Sequence, residues 1–211
     1  MNPLVYLVDD DAAVRDSLTT LLSSVNLESR AYASAQAFYT DHEPGRPGCL
    51  VLDICMPGIS GLELQERLSR ERSSIPVIII TGHGNVQAAV QSMKLGAVDF
   101  IEKPFPQDQL LDRIRKALDI ASDQRHYSTQ LEEIQNRIDL LSPRELEVTK
   151  ILITGRSNKD IARQLDISPR TVEVYRARVM IKMQADSLCQ LVRLMLLAEE
   201  RPESTDLASG G

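Results

Sequence analysis

Cysteine is scarce in this sequence, and a long apolar run is absent. The cysteines Cys49, Cys55 and Cys189 are odd in number and scattered through 211 residues, which predicts neither a disulfide framework nor a zinc site. We interpret them as reduced and mostly buried. No apolar stretch approaches the ~20 residues that span a bilayer. The first eleven residues place no basic group before their apolar stretch and end in three aspartates, so we expect a cytoplasmic protein with no signal peptide and no membrane partner.

Positive charge is in deficit overall but is concentrated in one segment. The formal net charge is −6, yet residues 144–193 hold ten basic and six acidic side chains. That segment therefore carries +4 and leaves −10 on the rest of the chain. A basic segment on an acidic chain is expected if only that segment contacts nucleic-acid phosphates.

The first half of the chain alternates short apolar runs with amphipathic stretches. This pattern predicts a doubly wound α/β fold: a five-stranded, flavodoxin-like parallel sheet with helices on both faces. The runs LVLDI and PVIIIT are nearly continuous, as is typical of central strands covered on both sides. Apolar residues at helical spacing separate the runs, and one such set is Val86, Val90 and Met93. The predicted strands are residues 4–8, 28–33, 50–54, 76–81 and 98–101.

Glycine and proline are absent from residues 107–142, which predicts a long helix after the last strand. Leu131, Ile134, Ile138 and Leu141 form a stripe with coiled-coil-like spacing. Two interpretations remain open. The segment is either a helical linker whose stripe pairs with a partner helix, or an amphipathic helix that packs on its own domain.

Polar side chains collect where the predicted strands end. Asp9 and Asp10 follow the first strand, Asp53 ends the third, Thr81 ends the fourth and Lys103 follows the fifth. Ligands of doubly wound sheets bind outside these carboxyl ends. Three neighbouring carboxylates repel unless a hard cation neutralises them, and Mg²⁺ prefers such oxygen ligands. The added lysine charge predicts a pocket that holds phosphoryl oxygens.

These residues resemble the receiver domains of two-component systems over roughly residues 3–120. The matching elements, in order, are Asp9-Asp10, Asp53 followed by Met56-Pro57-Gly58, Thr81-Gly82, and Lys103-Pro104-Phe105. The resemblance implies that Asp53 accepts a phosphoryl group from a sensor histidine kinase. It also implies that Asp10, Asp53 and the Cys55 backbone carbonyl bind Mg²⁺ directly, whereas Asp9 acts largely through water.

The same resemblance assigns roles to three further residues. Thr81 and Lys103 would hold phosphoryl oxygens, and Phe100 occupies the aromatic switch position, where it can respond to Thr81 only through packing. The Lys103–Pro104 peptide is expected to be cis. Asp11 is interpreted as a helix N-cap, not a metal ligand, and His83 is assigned no chemistry.

The basic segment contains two helix starts separated by a short helix. Ser142-Pro143-Arg144-Glu145 combines an N-cap serine, a proline at the first helical position and a glutamate that closes a capping box. Ser168-Pro169 opens a later helix in a similar way, after a short helix at residues 158–165 and a turn at Asp166-Ile167. This predicts a helix-turn-helix whose second helix can enter the major groove.

This second half resembles the LuxR-type output domain, and its pairing with a receiver identifies the chain as a NarL/FixJ-family regulator, most similar to the FixJ-like members. SPRE, SNKDIAR and SPRTVEVYRARVMIKMQADSL carry the match. The resemblance places the recognition helix at Pro169–Met183. It implies base-facing side chains at Arg170, Glu173, Val174 and Ala177. It implies phosphate contacts at Lys159, Thr171, Tyr175, Arg178 and Lys182.

Two positions on this helix depart from relatives that use lysines for base contacts. Glu173 and Ala177 stand there instead. Glu173 either accepts a hydrogen bond from a cytosine amino group or pairs with a neighbouring arginine. Arg176 is interpreted as simply solvated.

The resulting hypothesis is a two-component response regulator, not a turnover enzyme. Phosphotransfer to Asp53 is expected to promote homodimerisation and binding of promoter DNA, with RNA polymerase as a further candidate partner. Without phosphorylation, the output domain is either restrained by the receiver or loosely tethered to it. The predicted division is a receiver at 1–120, a helical linker at 121–138, a LuxR-type helix-turn-helix domain at 139–203 and a polar tail at 204–211.

Two other function classes share parts of this pattern. A Mg²⁺-dependent phosphatase or phosphotransferase also uses aspartates on an α/β sheet, but the haloacid dehalogenase type places a DxDx[TV] run after its first strand. Here Asp9-Asp10-Asp11 is followed by Ala12-Ala13. A receiver that acts only through protein contacts is disfavoured by the capped, basic helix-turn-helix.

Overall fold

The structure is a computed structural model that describes residues 3–43, 45–82 and 86–199. The chain divides into two compact units, Met1–His126 and Tyr127–Gly211. His83 and the predicted tail at 204–211 lie outside the described residues. Within the described part of the chain, no helix combines the length and the apolar character needed to cross a membrane.

The first unit is built on a five-stranded sheet that confirms the predicted class. All four strand pairings are parallel, in the order β2-β1-β3-β4-β5. The strands are β1 (Leu4–Val8), β2 (Glu28–Tyr32), β3 (Gly48–Asp53), β4 (Val77–Thr81) and β5 (Asp99–Glu102). The intervening helices are α1 (Ala12–Ser24), α2 (Ala35–Asp41), α3 (Gly61–Arg70) and α4 (Val86–Lys94).

Both faces of this sheet are covered. Leu4, Tyr6 and Val8 of β1 belong to one buried cluster, whereas Val5 and Leu7 belong to another. Successive side chains of a strand point to opposite faces, so a strand between two helical layers must be apolar at every position. This explains why the central strands have nearly continuous apolar sequences.

The helix α4 forms where the spacing predicted, but its apolar stripe faces outward. Val86, Val90 and Met93 are 81%, 47% and 50% exposed. The buried side of α4 is made of smaller residues, and Ser92 is fully buried there. The buried Gln65 of α3 donates a hydrogen bond to the Ser92 carbonyl oxygen over 2.9 Å. Because polar and small side chains occupy the inner face, the larger apolar ones remain in solvent.

The cysteines are less buried than the sequence suggested. All three are free thiols, but only Cys49 is buried, whereas Cys55 and Cys189 are exposed. Burial raises the pKa of the Cys49 thiol to about 12, so this thiol stays protonated. The expectation of mostly buried cysteines was therefore wrong for two of the three.

One long helix, α5 (Gln107–Asp139), continues from the first unit into the second. Leu110 and Ile114 are buried in the core of the first unit. Residues 122–130 are all exposed. Ile134 is buried, and Ile138 partly buried, in the core of the second unit. Most of the apolar stripe therefore packs in the core of the second unit. This agrees with the interpretation of an amphipathic helix that packs on its own domain.

The second unit is helical. After the end of α5 come α6 (Pro143–Leu152), α7 (Asn158–Leu165), α8 (Pro169–Met183) and α9 (Leu188–Glu199). Serines cap three of these helices, and both Ser142 and Glu145 complete the predicted capping box at the start of α6. A single buried cluster joins all of these helices, with Val148, Ile161, Val172 and Leu191 fully buried.

Candidate functional site: an acidic pocket and a helix-turn-helix

The turn after β1 fixes two aspartates in different ways. Asp9 is buried, and its Oδ1 accepts a hydrogen bond from the Asp11 backbone N–H over 2.9 Å. The Arg15 guanidinium donates to the Asp9 backbone carbonyl over 2.7 Å. Asp11 caps α1 by accepting from the Ala13 backbone N–H, which confirms its predicted N-cap role.

Lys103 joins the ends of three strands. Its backbone N–H donates to the carbonyl oxygen of Thr81, at the end of β4, over 2.8 Å. Its Nζ donates to Oδ2 of Asp9 over 2.6 Å and to Oδ2 of Asp53 over 2.7 Å. The Lys103–Pro104 peptide is cis, as predicted. The lysine thus pairs with two carboxylates at the ends of different strands.

The electrostatics of this pocket follow from burial and pairing. Burial raises the pKa of Asp9 above its ordinary value, although the hydrogen bond from Lys103 opposes that shift. Burial disfavours the charge on Lys103, but hydrogen bonds to Asp53 and Asp9 outweigh it and raise the lysine pKa. The ammonium group therefore stays charged at neutral pH.

Three carboxylates meet in this pocket. Oxygens of Asp9, Asp10 and Asp53 lie within 4.8 Å of one another, with Asp10 exposed to solvent. Such a set offers only hard oxygen donors at an open edge of the sheet. It fits a cation such as Mg²⁺, which takes one or two carboxylates and keeps several water ligands.

The wall beside Asp53 is formed by Cys55 and Thr81. The Cys55 backbone N–H donates to Oδ1 of Asp53 over 3.0 Å. The Cys55 sulfur lies 3.7 Å from the hydroxyl oxygen of Thr81, whose side chain is fully buried. Phe100 of β5 is half-buried and packs against the core cluster that contains Ile79. The structure thus gathers most of the predicted pocket residues at one edge of the sheet.

Two residues that support the pocket were not found from the sequence. Arg15 holds the Asp9 backbone, as described above. Gly61, the first residue of α3, leaves no room for a side chain, because a Cβ there would lie 2.1 Å from the Asp53 carbonyl oxygen. The capping box formed by Ser60 and Glu63 marks this helix start in the sequence, but it gives no sign of the close approach.

The second unit contains the predicted helix-turn-helix. The helix α7 ends at Leu165, and its C-cap residue Asp166, with a φ of 53°, reverses the chain in the left-handed conformation. Ser168 then caps α8 by accepting from the Thr171 backbone N–H over 3.0 Å. The helix α8 runs over Pro169–Met183, as predicted for the recognition helix. Val172, Val179 and Met183 are its buried residues and anchor it to the core.

The opposite face of α8 is exposed, and it carries the predicted base-facing set. The exposed members are Arg170, Glu173, Val174 and Ala177. Within the described residues, Glu173 has no ion-pair partner, so the alternative pairing with a neighbouring arginine is not present. Lys159 and Arg178, two of the predicted phosphate contacts, are also exposed, whereas Thr171 and Tyr175 are half-buried.

Two basic residues of α8 instead have partners inside the unit. Arg176 donates to the side-chain oxygen of Asn158 over 2.6 Å, so the interpretation of a merely solvated side chain was wrong. Lys182 donates to Oε2 of Glu145 over 2.6 Å and to the Leu140 carbonyl oxygen over 3.0 Å. This placement argues against the phosphate contact that the resemblance implied for Lys182.

Comparison with known families divides the sequence in the same way. Residues 5–115 match the response regulator receiver domain, and residues 139–195 match the bacterial regulatory proteins of the luxR family. The chain belongs to the two-component response regulators. It joins a receiver to a LuxR-type DNA-binding domain, so its partners include a sensor kinase and DNA.

Similar proteins place this response regulator near the FixJ-like members, as the resemblance predicted. The transcriptional regulatory protein FixJ of Bradyrhizobium diazoefficiens is 51% identical over 195 residues, which cover 92% of this chain and 95% of that protein. The response regulator TmoT of Ectopseudomonas mendocina is 42% identical and covers 90% and 87%. FixJ is a transcriptional regulatory protein, which supports a transcription factor over a turnover enzyme.

Solved structures agree with this assignment. The response regulator StyR matches with a TM-score of 0.85 and 39% identity, covering 93% of this chain and 99% of that one. Full-length FixJ from B. japonicum matches with a TM-score of 0.56 and 48% identity, covering 93% and 97%. Both the receiver fold and the helical output domain are therefore shared with known response regulators.

Proposed function

We propose that Asp53 accepts a phosphoryl group from a sensor histidine kinase and that this event controls DNA binding by the output domain. The observation that carries the proposal is the position of Lys103, whose Nζ lies 2.7 Å from Asp53 and 2.6 Å from Asp9. Asp53 is the last residue of β3, and it has both this lysine partner and two neighbouring aspartates, Asp9 and Asp10.

The transfer forms a bond between a carboxylate oxygen of Asp53 and phosphorus. The bond from phosphorus to the kinase imidazole nitrogen breaks, and its electron pair returns to that nitrogen. Lys103 is placed to offset the negative charge of the transferred group. The Thr81 hydroxyl is placed to donate a hydrogen bond to a phosphoryl oxygen. Phe100 packs on the same side of the core, so we expect it to move when Thr81 is drawn toward the phosphate.

The carboxylates of Asp10 and Asp53, together with the Cys55 backbone carbonyl, are the proposed direct Mg²⁺ ligands, and Asp9 is proposed to act largely through water. Their support is the oxygen-only cluster described above. When bound, the cation would reduce the repulsion between the pocket and the incoming phosphoryl oxygens. The Asp9 side chain is more deeply enclosed than that of Asp53, at 1% against 9% exposed, so its part in metal binding is proposed to be indirect.

For the output domain, we propose that the exposed face of α8 reads DNA. Arg170, Glu173, Val174 and Ala177 would approach base edges, while Lys159, Thr171, Tyr175 and Arg178 would contact phosphates. Exposure of the first four residues supports this assignment. Because DNA is the proposed target, we also propose a cytoplasmic location, with RNA polymerase as a candidate partner of the DNA-bound form.

The functional division proposed for the chain is a receiver at 1–120, a helical linker at 121–138, a helix-turn-helix domain at 139–203 and a tail at 204–211. The family matches at 5–115 and 139–195 support the ranges proposed for the receiver and for the helix-turn-helix domain. Exposure of every residue at 122–130 supports a linker there, whereas Ile134 and Ile138 at its far end pack into the core of the second unit.

Labelling with acetyl phosphate tests the phosphoacceptor directly. We expect Asp53→Asn to take up no label, whereas Asp11→Asn, which keeps a helix-capping side chain two residues from Asp9, should label like the parent protein. Circular dichroism should show that both variants are folded. Stoichiometric label on folded Asp53→Asn would assign the phosphoryl group to another residue.

A further inference from the structure

The recognition helix has two kinds of basic residue. Arg170 and Arg178 are exposed and, within the described residues, have no ion-pair partner. Arg176 and Lys182 are half-buried, and each donates a hydrogen bond to a residue on another helix or turn of the same unit. Basic character alone therefore does not identify the side chains that are available to DNA.

Lys182 connects three parts of the second unit. Its Nζ reaches the Leu140 carbonyl oxygen, just after the end of α5, and Oε2 of Glu145 in the first turn of α6. The same carboxylate oxygen accepts the Ser142 backbone N–H over 2.8 Å as part of the capping box. The last turn of α8 is thus tied to the point where the chain leaves α5 and enters α6.

Glu145, the acidic partner of Lys182, is enclosed. The Glu145 side chain is 3% exposed, and the Lys182 side chain is 35% exposed. Hydrogen bonds from Lys182 and from the Ser142 backbone hold the pKa of Glu145 below its ordinary value, so the carboxylate stays charged. If Lys182 turned to a DNA phosphate, it would leave a buried charge unpaired, which is strongly unfavourable.

We propose that Lys182 is a positioning residue, which orients the recognition helix through Glu145 and Leu140 and makes no phosphate contact of its own. This inference rests on the proposed DNA-binding role of α8. Arg178 lies four residues earlier on the same helix and is exposed, so it provides the matched comparison. The two residues should differ in how their loss changes the salt dependence of binding.

The test measures binding of the full-length protein to a random-sequence DNA duplex across a series of salt concentrations. A lost phosphate contact lowers the slope of log affinity against log salt by about one. We expect this for Arg178→Ala. For Lys182→Ala we expect weaker binding by a similar factor at every salt concentration, with the slope of the parent protein.

Two further variants separate positioning from general destabilisation. Glu145 is buried and acidic, so it has no phosphate contact to lose. Glu145→Gln should nevertheless weaken DNA binding as Lys182→Ala does, and the double variant should be no worse than either single one. Lys182→Arg keeps the charge and the pairing and should restore affinity. Each measurement is made at a temperature at which circular dichroism shows the variant to be folded.

The outcomes are distinguishable. A slope lowered by about one in Lys182→Ala, with Glu145→Gln binding like the parent protein, would overturn the positioning role and restore the phosphate contact. Unchanged affinity of folded Lys182→Ala would overturn it as well, since the ion pair would then be only structural. If Arg178→Ala changes neither the affinity nor the slope, the proposed DNA-binding face of α8 is at fault instead.

Discussion

The amino group of Lys103 and the carboxylate of Asp53 form an ion pair with a 2.7 Å separation, although the two residues are 50 positions apart in the sequence. The same amino group pairs with the buried Asp9. One lysine therefore offsets the charge of two carboxylates that would otherwise repel each other across the carboxyl end of the sheet. Its removal should have consequences both for stability and for the binding of a cation.

Lys103→Met should destabilise the metal-free protein by about 3–5 kcal/mol, because it leaves enclosed carboxylates without their partner. Millimolar Mg²⁺ should recover part of this loss by supplying the missing positive charge. Urea denaturation in EDTA and in Mg²⁺ measures both effects. Lys116→Met, which removes an exposed lysine of α5, is the matched control and should behave like the parent protein. Equal stability of Lys103→Met and the control would mean that the ion pairs have no net stabilising effect.

Gly61→Ala should destabilise the receiver by about 1–3 kcal/mol, as overpacking does in a close-packed site. The added Cβ would meet the Asp53 backbone carbonyl, so one of the two chain segments must move. Because Asp53 moves with its backbone, we also expect slower labelling by acetyl phosphate. Gly82→Ala is the control for stability, since a Cβ at Gly82 has nothing within 4 Å. If thermal melts show both variants to be equally stable, the segment that carries Gly61 relaxes at no cost.

The sequence predicted the sheet well because the physical signal was local. An apolar residue at every position of β1 indicates a strand covered on both faces, and a polar residue at its end marks the edge where ligands bind. The simultaneous pairing of Lys103 with Asp9 and Asp53 could not be predicted from the sequence. Asp9 is 94 positions away, and nothing local indicates whether the lysine pairs with one carboxylate or with both. The helical spacing of apolar residues likewise predicted the position of α4, but it did not predict that Val90 would face solvent. That outcome depends on which side of the helix fits against α3.

Glu173→Ala should change which DNA sequences are bound. The Glu173 carboxylate is exposed on the reading face of α8, and a hydrogen bond from a cytosine amino group is worth about 1–3 kcal/mol of discrimination against a wrong base. Selection of binding sites from a random library should therefore lose preference at one position per half-site. Asp186→Ala removes an exposed acid of the same domain outside α8 and should leave the profile unaltered. An identical profile for Glu173→Ala would show that Glu173 does not read DNA.

The outward stripe of Val86, Val90 and Met93 on α4 is where we expect the effect of phosphorylation on the output domain to begin. An exposed apolar stripe of this kind is typical of a surface that pairs with another protein. The helix lies between β4, which ends at Thr81, and β5, which carries Phe100, so movement of these two residues on phosphorylation should shift α4.

We therefore expect beryllofluoride, a phosphoryl mimic, to convert the monomer to a dimer that pairs through α4. Two recognition helices would then reach half-sites about 34 Å apart, which a monomer cannot do. Val90→Glu places a charge in the stripe and should keep the activated protein monomeric in sedimentation, with weaker operator binding. Gln87→Glu adds the same charge to α4 beside the stripe, at another exposed position, and should still dimerise. A parent protein that stays monomeric with beryllofluoride, yet binds its operator as tightly as before, would refute control by dimerisation and leave the helix-turn-helix to act alone.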